Sequence, residues 1–121
     1  EISLSNPDVY VADATGSGWS NTSSGSLFDL TDFNTIEVSW RGDSWTSSDV
    51  VFCRTILRLL DASGNVVRSR GGNIGSSGGQ TYETIKWDVS SLTGKHRLSV
   101  YGEAQGGGIP CWGTTKNAKA Y

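Results

Sequence analysis

The chain has 121 residues with sixteen glycines, two prolines, a formal net charge of −2 and a pI of about 5.2. That length is enough for a single domain, 1–121, that encloses one hydrophobic core without help from a metal. The acidic balance argues against a general affinity for nucleic acid, and no apolar run is long enough to cross a membrane. We therefore expect neither nucleic acid binding nor membrane insertion.

The two cysteines, Cys53 and Cys111, are too few to form a zinc site with the one histidine. An even pair in a glycine-rich β domain favours a disulfide, with two buried free thiols as the alternative. A disulfide would indicate an extracellular location, either secreted or on the cell surface. Because the sequence has no initiating Met and no signal peptide, we interpret it as a module excised from a larger protein, in which it is tethered to catalytic or other modules.

The first part of the chain predicts short strands separated by polar loops. Alternation of apolar and polar residues indicates strands at Asp8–Ala12, Ser26–Leu30 and Thr35–Arg41. The glycine- and serine-rich segment Asp13–Ser26 is expected to be a loop anchored by Trp19. The segment Gly42–Asp49, polar except for Trp45, is expected to be a second loop.

The longest alternating run, Val50–Asp61, predicts the central strand of the fold. A helix is the alternative, but several residues at the start of the run are poor helix formers and a turn follows directly, so we favour a strand. The alternation places Arg54 and Arg58 on the outer side of this strand. The opposite, core-facing side is formed by Cys53, Thr55, Leu57 and Leu59.

The rest of the chain continues the same pattern. Further strands are predicted at Val66–Arg70, Tyr82–Val89, His96–Glu103 and Thr114–Tyr121. Glycine-rich loops are predicted at Gly71–Gly79 and Gln105–Gly108. About eight strands at short spacing, with no long helix, predict an all-β fold: a two-sheet antiparallel β-sandwich or jelly roll.

Basic residues cluster on the outward positions of the predicted strands, although the chain is acidic. Arginine can fork onto the hydroxyls or carboxylates of a sugar, so a concave face of this kind could hold a polysaccharide. The alternative is an ordinary solvated face with small cross-strand ion pairs. The candidate ligand-binding residues on this face are Arg54, Arg58, Lys86, Arg97 and Tyr101, with Arg41, Glu37, Asp88 and Glu103 beside them.

Two tryptophans on predicted loops are further candidates for sugar binding. If Cys53 is bonded to Cys111, Trp45 and Trp112 are held at the same end of the sandwich. An exposed aromatic ring can pack against the C–H face of a pyranose, while polar groups nearby bind its hydroxyls. The alternative is that one or both rings close an end of the core.

Catalytic and metal sites have less support in the sequence. Glu37 and Glu103 are the only outward carboxylate pair that could serve a glycosidase, and nothing brings them together, so we expect no enzyme activity. His96 begins a strand and is expected to be a surface histidine. No cofactor is required; a structural calcium ion could be bound by oxygen ligands from Asp8, Asp13, Asp29 and Asp32.

Two stretches resemble a known family. Trp87–Gly107 (WDVSSLTGKHRLSVYGEAQGG) and Asp29–Trp40 (DLTDFNTIEVSW) are similar to the galactose-binding-like jelly rolls of carbohydrate-binding modules. Similar domains occur in gut-bacterial surface proteins and phage tail proteins. The family's usual calcium pair includes an aspartate in the last strand, and Thr114–Tyr121 has no acidic residue.

The resemblance implies a non-catalytic carbohydrate-binding module that recognises a polysaccharide. The alternative is a structural or receptor-binding domain of a phage tail or cell-surface assembly, in which the same face would contact protein.

Overall fold

The structure is a computed structural model that describes residues 1–12, 18–48, 51–74, 81–106 and 110–121. The described residues contain eleven strands and no helix, so none of them forms a helix that could cross a membrane. The strands are β1 (Ile2–Ser3), β2 (Val9–Ala12), β3 (Trp19–Ser24), β4 (Phe28–Asp29), β5 (Thr35–Ser48), β6 (Val51–Asp61), β7 (Val66–Gly71), β8 (Asn73–Ile74), β9 (Glu83–Asp88), β10 (Lys95–Gln105) and β11 (Pro110–Ala120). They form a β-sandwich, which confirms the predicted fold class.

The first sheet, sheet A, contains β9, the first half of β5, β11, and β1 and β2, which share the far edge of β11. All pairs in this sheet are antiparallel. The alternation of β5 decides which side is core: Ile36, Val38 and Trp40 are each fully buried. The intervening residues therefore lie on the outer face of sheet A.

The second sheet, sheet B, is built on β6 and β10, which pair antiparallel from Asp61 with His96 to Phe52 with Gln105. β3 and β4 pair with the other edge of β10, and β7 pairs with β6. The predicted central strand is confirmed, because Cys53, Thr55, Leu57 and Leu59 are all buried. The alternate side chains of β6 and β10 form the outer face of sheet B.

β5 connects the two sheets, and this corrects the prediction of a loop at Gly42–Asp49. After pairing with β11 and β9 in sheet A, the strand continues and pairs with β6 in sheet B. The crossing brings the backbone at Gly42 against the core: a Cβ there would lie 2.5 Å from both Thr55 Oγ1 and Trp40 Cζ2. Thr55 Oγ1 also donates to the carbonyl of Asp43 at 2.8 Å. Glycine at the crossing therefore lets one polar strand belong to both sheets.

Three other segments predicted as irregular are strands. Within the predicted loop Asp13–Ser26, Trp19–Ser24 forms β3, an exposed edge strand that obtains its backbone hydrogen bonds from β10. The last strand begins at Pro110 rather than Thr114, because β2 extends the pairing of β11 toward its start. Asn73–Ile74 pairs in parallel with β5. The described residues thus contain eleven strands where the sequence predicts about eight.

The core between the sheets forms two clusters. The larger is centred on Trp40, Leu57 and Val100, and the smaller contains Val11, Ala104 and the two cysteines. The predicted disulfide is confirmed: Cys53 of sheet B is bonded to Cys111 of sheet A. Both half-cystines are almost completely buried. The bond therefore links the two sheets across the core.

His96 is a correction to the sequence analysis, which expects it on the surface. It is only 4% exposed, and its Nδ1 lies 3.0 Å from the carbonyl oxygen of Gly94. The alternation of β10 places it on the same side as the buried Leu98 and Val100. His96 is therefore buried because its side chain points inward, although it lies near the start of the strand.

Two arginines close one open side of the sandwich, where the edge strand β7 of sheet B lies near the edge strand β9 of sheet A. Arg70 forms a 2.8 Å ion pair with Glu83 of β9. Arg68 donates to the carbonyl of Asp88 at 2.9 Å. Neither guanidinium therefore belongs to an outer face, and both fasten one sheet to the other.

Candidate functional site

The basic residues that the sequence places on one face are divided between two faces. Sheet B carries Arg54 and Arg58 on β6 and Arg97 and Tyr101 on β10. Sheet A carries Arg41, Lys86 and Trp112 on β5, β9 and β11. Alternation gives the phase of each strand but not the sheet to which the strand belongs, and this is why the sequence merges the two groups.

Glu103 organises the outer face of sheet B. One oxygen of its carboxylate pairs with Arg54 Nη2 at 2.6 Å, and the other accepts a hydrogen bond from the Tyr101 hydroxyl at 2.9 Å. The Tyr101 ring in turn lies beneath the Arg58 guanidinium, 4.8 Å from the ring centroid. The four side chains form one connected network along β6 and β10, so each fixes the orientation of its neighbour.

Arg58 and Arg97 give this face its positive charge. The register pairs Arg58 with Ser99 and Arg97 with Leu60, so the two arginines are diagonal neighbours on one face, roughly 7 Å apart at Cβ. Among the described residues, neither has a carboxylate within 4.0 Å. Each guanidinium can bind an anionic group of a ligand that lies along this face.

An open hollow of about 180 Å³ lies at the far end of the same face. Its walls include Trp19, Phe52 and Glu103. Trp19 is 60% exposed, which is unusual for so large an apolar side chain, although it pairs with the buried Ala104 and so has the inward phase on the edge strand β3. The sequence analysis treats Trp19 only as a loop anchor, because the glycines and serines around it give no apolar alternation that would indicate β3. The exposed aromatic edge of β3 could have been found only by recognising that strand.

Trp45 occupies a different environment from the one expected of a ligand-binding tryptophan. It pairs with Cys53 and packs, partly buried, against the smaller core cluster that contains the disulfide. Trp112 follows the fully buried Cys111 and therefore has the opposite phase, on the outer face of sheet A. The disulfide brings the two strands together, but the two indoles lie on different sides of the structure. Trp45 matches the alternative in which a ring closes one end of the core.

The outer face of sheet A carries aromatic residues that the sequence analysis does not select. Tyr10 of β2 pairs with Trp112 of β11 and is 64% exposed. The Arg41 guanidinium lies 6.0 Å from the ring centroids of both Trp112 and Tyr82. Tyr10 has the opposite phase to the buried Val9 and Val11, so the alternation of the first predicted strand already assigns it to the outer face.

Lys86 lies at the other end of this face, in a cluster centred on Glu37. The Glu37 carboxylate is 3.7 Å from both Lys86 Nζ and Lys119 Nζ, and it accepts a hydrogen bond from the Tyr121 hydroxyl at 2.9 Å. That hydrogen bond, together with the two lysine charges, lowers the pKa of Glu37 below its ordinary value. The same contact raises the pKa of Tyr121. Lys86 is therefore part of a neutralised cluster.

The acidic residues considered for catalysis and calcium do not form a common cluster among the described residues. Glu37 and Glu103 lie on the outer faces of different sheets, so they cannot flank one glycosidic bond. Asp8 accepts from the Thr115 amide and Asp29 from the Thr31 amide, while Asp13 lies outside the described residues. Within the described ranges, no three His, Cys, Asp or Glu side chains converge. A calcium site stays a prediction.

Comparison with known proteins supports the fold. No protein-family model and no curated protein matches the chain. Among solved structures, TmCBM61 in complex with β-1,4-galactotriose matches with a TM-score of 0.51 and 16% identity, over 94% of this chain and 68% of that chain. A structure of infectious bursal disease virus Gt strain matches with a TM-score of 0.34 and 12% identity, over 96% of this chain and 31% of that chain, which is too weak to support an argument. The chain therefore shares the β-sandwich fold of a carbohydrate-binding module.

Proposed function

We propose that this chain is a non-catalytic, extracellular carbohydrate-binding domain that binds an acidic polysaccharide on the outer face of sheet B. The observation that carries the proposal is the pair Arg58 and Arg97, two neighbouring arginines without a carboxylate partner among the described residues. The solved module with a similar fold was crystallised with a galactose trisaccharide, which supports a sugar as the class of ligand.

The arginine pair favours a sugar that carries a carboxylate. Two planar guanidinium groups can bind a uronate through paired charge-assisted hydrogen bonds, which are stronger than those to a neutral hydroxyl. Arg54 contributes less to the net charge, because Glu103 neutralises it. Its function is to hold Glu103 and, through it, the Tyr101 ring beneath Arg58.

The aromatic hollow supplies the second element of sugar recognition. Phe52 pairs with Gln105 and has the outward phase, and a pyranose can pack its C–H face on this ring in the open hollow beside Glu103. β3 runs beside it with a row of hydroxyls at Ser20, Thr22 and Ser24, of which Ser20 and Thr22 pair with Glu103 and Tyr101. From Arg97 to Glu103 the face extends about 20 Å along β10, enough for several sugar units in a row.

The test compares a uronate with its uncharged form. Calorimetric titration with trigalacturonate and with its methyl ester measures how much of the affinity depends on the carboxylate. We expect the acid to bind more tightly, and Arg58→Gln or Arg97→Gln to lower its affinity about tenfold each, since a charged hydrogen bond contributes about 1.5 kcal/mol or more. Because both arginines lie on an outer face and are partly exposed, the affinity should also fall as ionic strength rises.

Arg70→Gln is the matched control. It removes the same charge from the edge between the sheets, away from both outer faces. Equal affinity for acid and ester, or equal losses in the Arg70, Arg58 and Arg97 variants, would reject the arginine pair as the site. Absence of binding to any acidic or neutral glycan, in a domain shown to be folded, would favour the structural or receptor-binding alternative.

A further inference from the structure

The outer face of sheet A has the composition of a second binding surface. Its exposed end presents a row of four prominent side chains. Three come from strands, namely Tyr10 of β2, Trp112 of β11 and Arg41 of β5, and the fourth, Tyr82, directly precedes β9. Tyr10 and Tyr82 are 64% and 39% exposed. Because neighbouring strands lie about 4.8 Å apart, this row crosses roughly 14 Å of the sheet.

Contacts within the row hold the rings of Trp112 and Tyr82 in place. The Arg41 guanidinium is 6.0 Å from the centroids of the Trp112 and Tyr82 rings, and the Lys116 ammonium is 4.0 Å from the Tyr82 centroid. The Tyr82 hydroxyl accepts a hydrogen bond from Thr114 Oγ1 at 3.1 Å. These contacts give the rings a fixed orientation before any ligand arrives, which reduces the entropy lost on binding.

Charge distinguishes this end of the face from the other. Around Glu37, the lysines at 86 and 119 already have a carboxylate partner. Lys116 has none within 4.0 Å among the described residues, although it is exposed and sits directly over a tyrosine ring. The aromatic row therefore combines stacking surface with a positive charge that an anionic ligand can meet.

We propose that Tyr10, Trp112, Arg41, Tyr82 and Lys116 form a second site for an acidic sugar, so that one domain cross-links two polysaccharide chains. The inference rests on the proposed function, since it assumes the same class of ligand on both faces. One sugar unit stacks on Tyr10 and Trp112, while the carboxylate of a neighbouring unit contacts Lys116 over Tyr82. The two sheets pack about 10 Å apart and the sites face away from each other, so one sugar unit cannot occupy both.

The first measurement is the stoichiometry of binding to trigalacturonate, a ligand short enough to occupy one site. We expect two trisaccharides for each wild-type domain. The double variant Tyr10→Ala/Lys116→Gln should bind one, and so should Arg58→Gln/Arg97→Gln. Tyr10 and Lys116 are both exposed, so their replacement should leave the fold intact, which the thermal unfolding midpoint checks.

The second measurement is light scattering after the domain is mixed with long polygalacturonate. A domain with two sites should give scattering that rises to a maximum near equivalence and falls when either partner is in excess. Each double variant should bind the polymer without producing that maximum. Lys86→Gln is the charge-matched control on sheet A, because Lys86 belongs to the neutralised cluster, and it should scatter like the wild type.

The outcomes separate this inference from the proposed function. One trisaccharide per domain, lost only in the Arg58/Arg97 variant, overturns the second site and leaves the proposed function standing. One trisaccharide, lost only in the Tyr10/Lys116 variant, overturns both the sheet B site and cross-linking. Two trisaccharides without a scattering maximum show two sites that cannot join two chains, and this also overturns the cross-linking inference.

Discussion

Removing the Cys53–Cys111 bond is expected to lower the free energy of unfolding by about 4 kcal/mol. The two half-cystines are 58 residues apart in sequence, and closing a loop of that length restricts the unfolded chain by about this amount. The bond also joins β6 of sheet B to β11 of sheet A within the smaller core cluster. Its loss should therefore affect the fold as a whole rather than one loop.

Urea unfolding of three forms separates the cross-link from the packing of the sulfur atoms. The oxidised wild type, the reduced wild type and the Cys53→Ala/Cys111→Ala variant are followed by tryptophan fluorescence. The reduced protein keeps both side chains, so its difference from the oxidised form measures the cross-link. The double variant should be less stable again, because alanine leaves space at two positions that are 2% and 0% exposed.

Burial of both cysteines adds a kinetic expectation. Without denaturant, the disulfide should be reduced slowly by a thiol reagent, since the sulfur atoms are accessible only after the sheets separate. A stability difference below about 1 kcal/mol between oxidised and reduced protein would contradict the loop-entropy argument. Rapid reduction of the folded domain would contradict the burial of the bond.

Two further predictions concern the strands and the turns. Gly102→Ala should lower the free energy of unfolding by about 1–3 kcal/mol in urea titration, because the new Cβ would lie 2.8 Å from Val11 Cγ2. The control Gly71→Ala should change the free energy of unfolding by less than about 0.5 kcal/mol, because no atom lies within 4 Å of its new Cβ. A comparable loss at Gly71 would contradict the packing argument. The second prediction concerns the free energy of unfolding, measured by urea unfolding at a series of pH values. It should stay level as the pH falls to the ordinary pKa of a carboxylate, and then decline as the pH falls through the lowered pKa values of the folded state. The reason is that hydrogen bonds from turn residues lower the pKa of three carboxylates in the folded state, so their contribution is present above the unfolded pKa and lost on protonation; an increase in stability on acidification would refute it. The three carboxylates are Asp29, Asp61 and Asp88.

Local alternation predicted the strands whose two sides differ most in polarity. The core positions Ile36, Val38 and Trp40 and the core side of β6 are buried as the pattern requires. The prediction missed the polar strands for a physical reason. β3 consists mostly of serine, threonine and asparagine and is held by backbone pairing with β10, and such pairing leaves no apolar signal.

For the candidate site as well, local alternation predicts the orientation of a side chain but not the sheet to which its strand belongs. Arg58 and Lys86 both have outward phases, but one belongs to β6 and the other to β9, which lie in different sheets. The crossing of β5 at Gly42, which determines that division, depends on close contact with Trp40 and Thr55. The contact with Thr55 joins β5 to β6, and neither contact is expressed in the alternation of apolar and polar residues, so no local pattern could report them.

The acidic net charge of the chain does not conflict with an anionic ligand, because the acidic and basic residues occupy different places. Several aspartates accept backbone hydrogen bonds in turns: Asp29 from Thr31, Asp61 from Ser63 and Asn65, and Asp88 from Ser90. These carboxylates lie at the ends of strands. The outer faces also carry Glu103 and Glu37, but Glu103 is paired with Arg54, and Glu37 with Lys86 and Lys119. Since salt screens exposed charges beyond about 8–10 Å, a ligand on either face experiences mainly the local cations rather than the net charge of the domain. The charge of this chain is therefore a poor guide to its ligand, and the position of each charge on the two sheets is the better one.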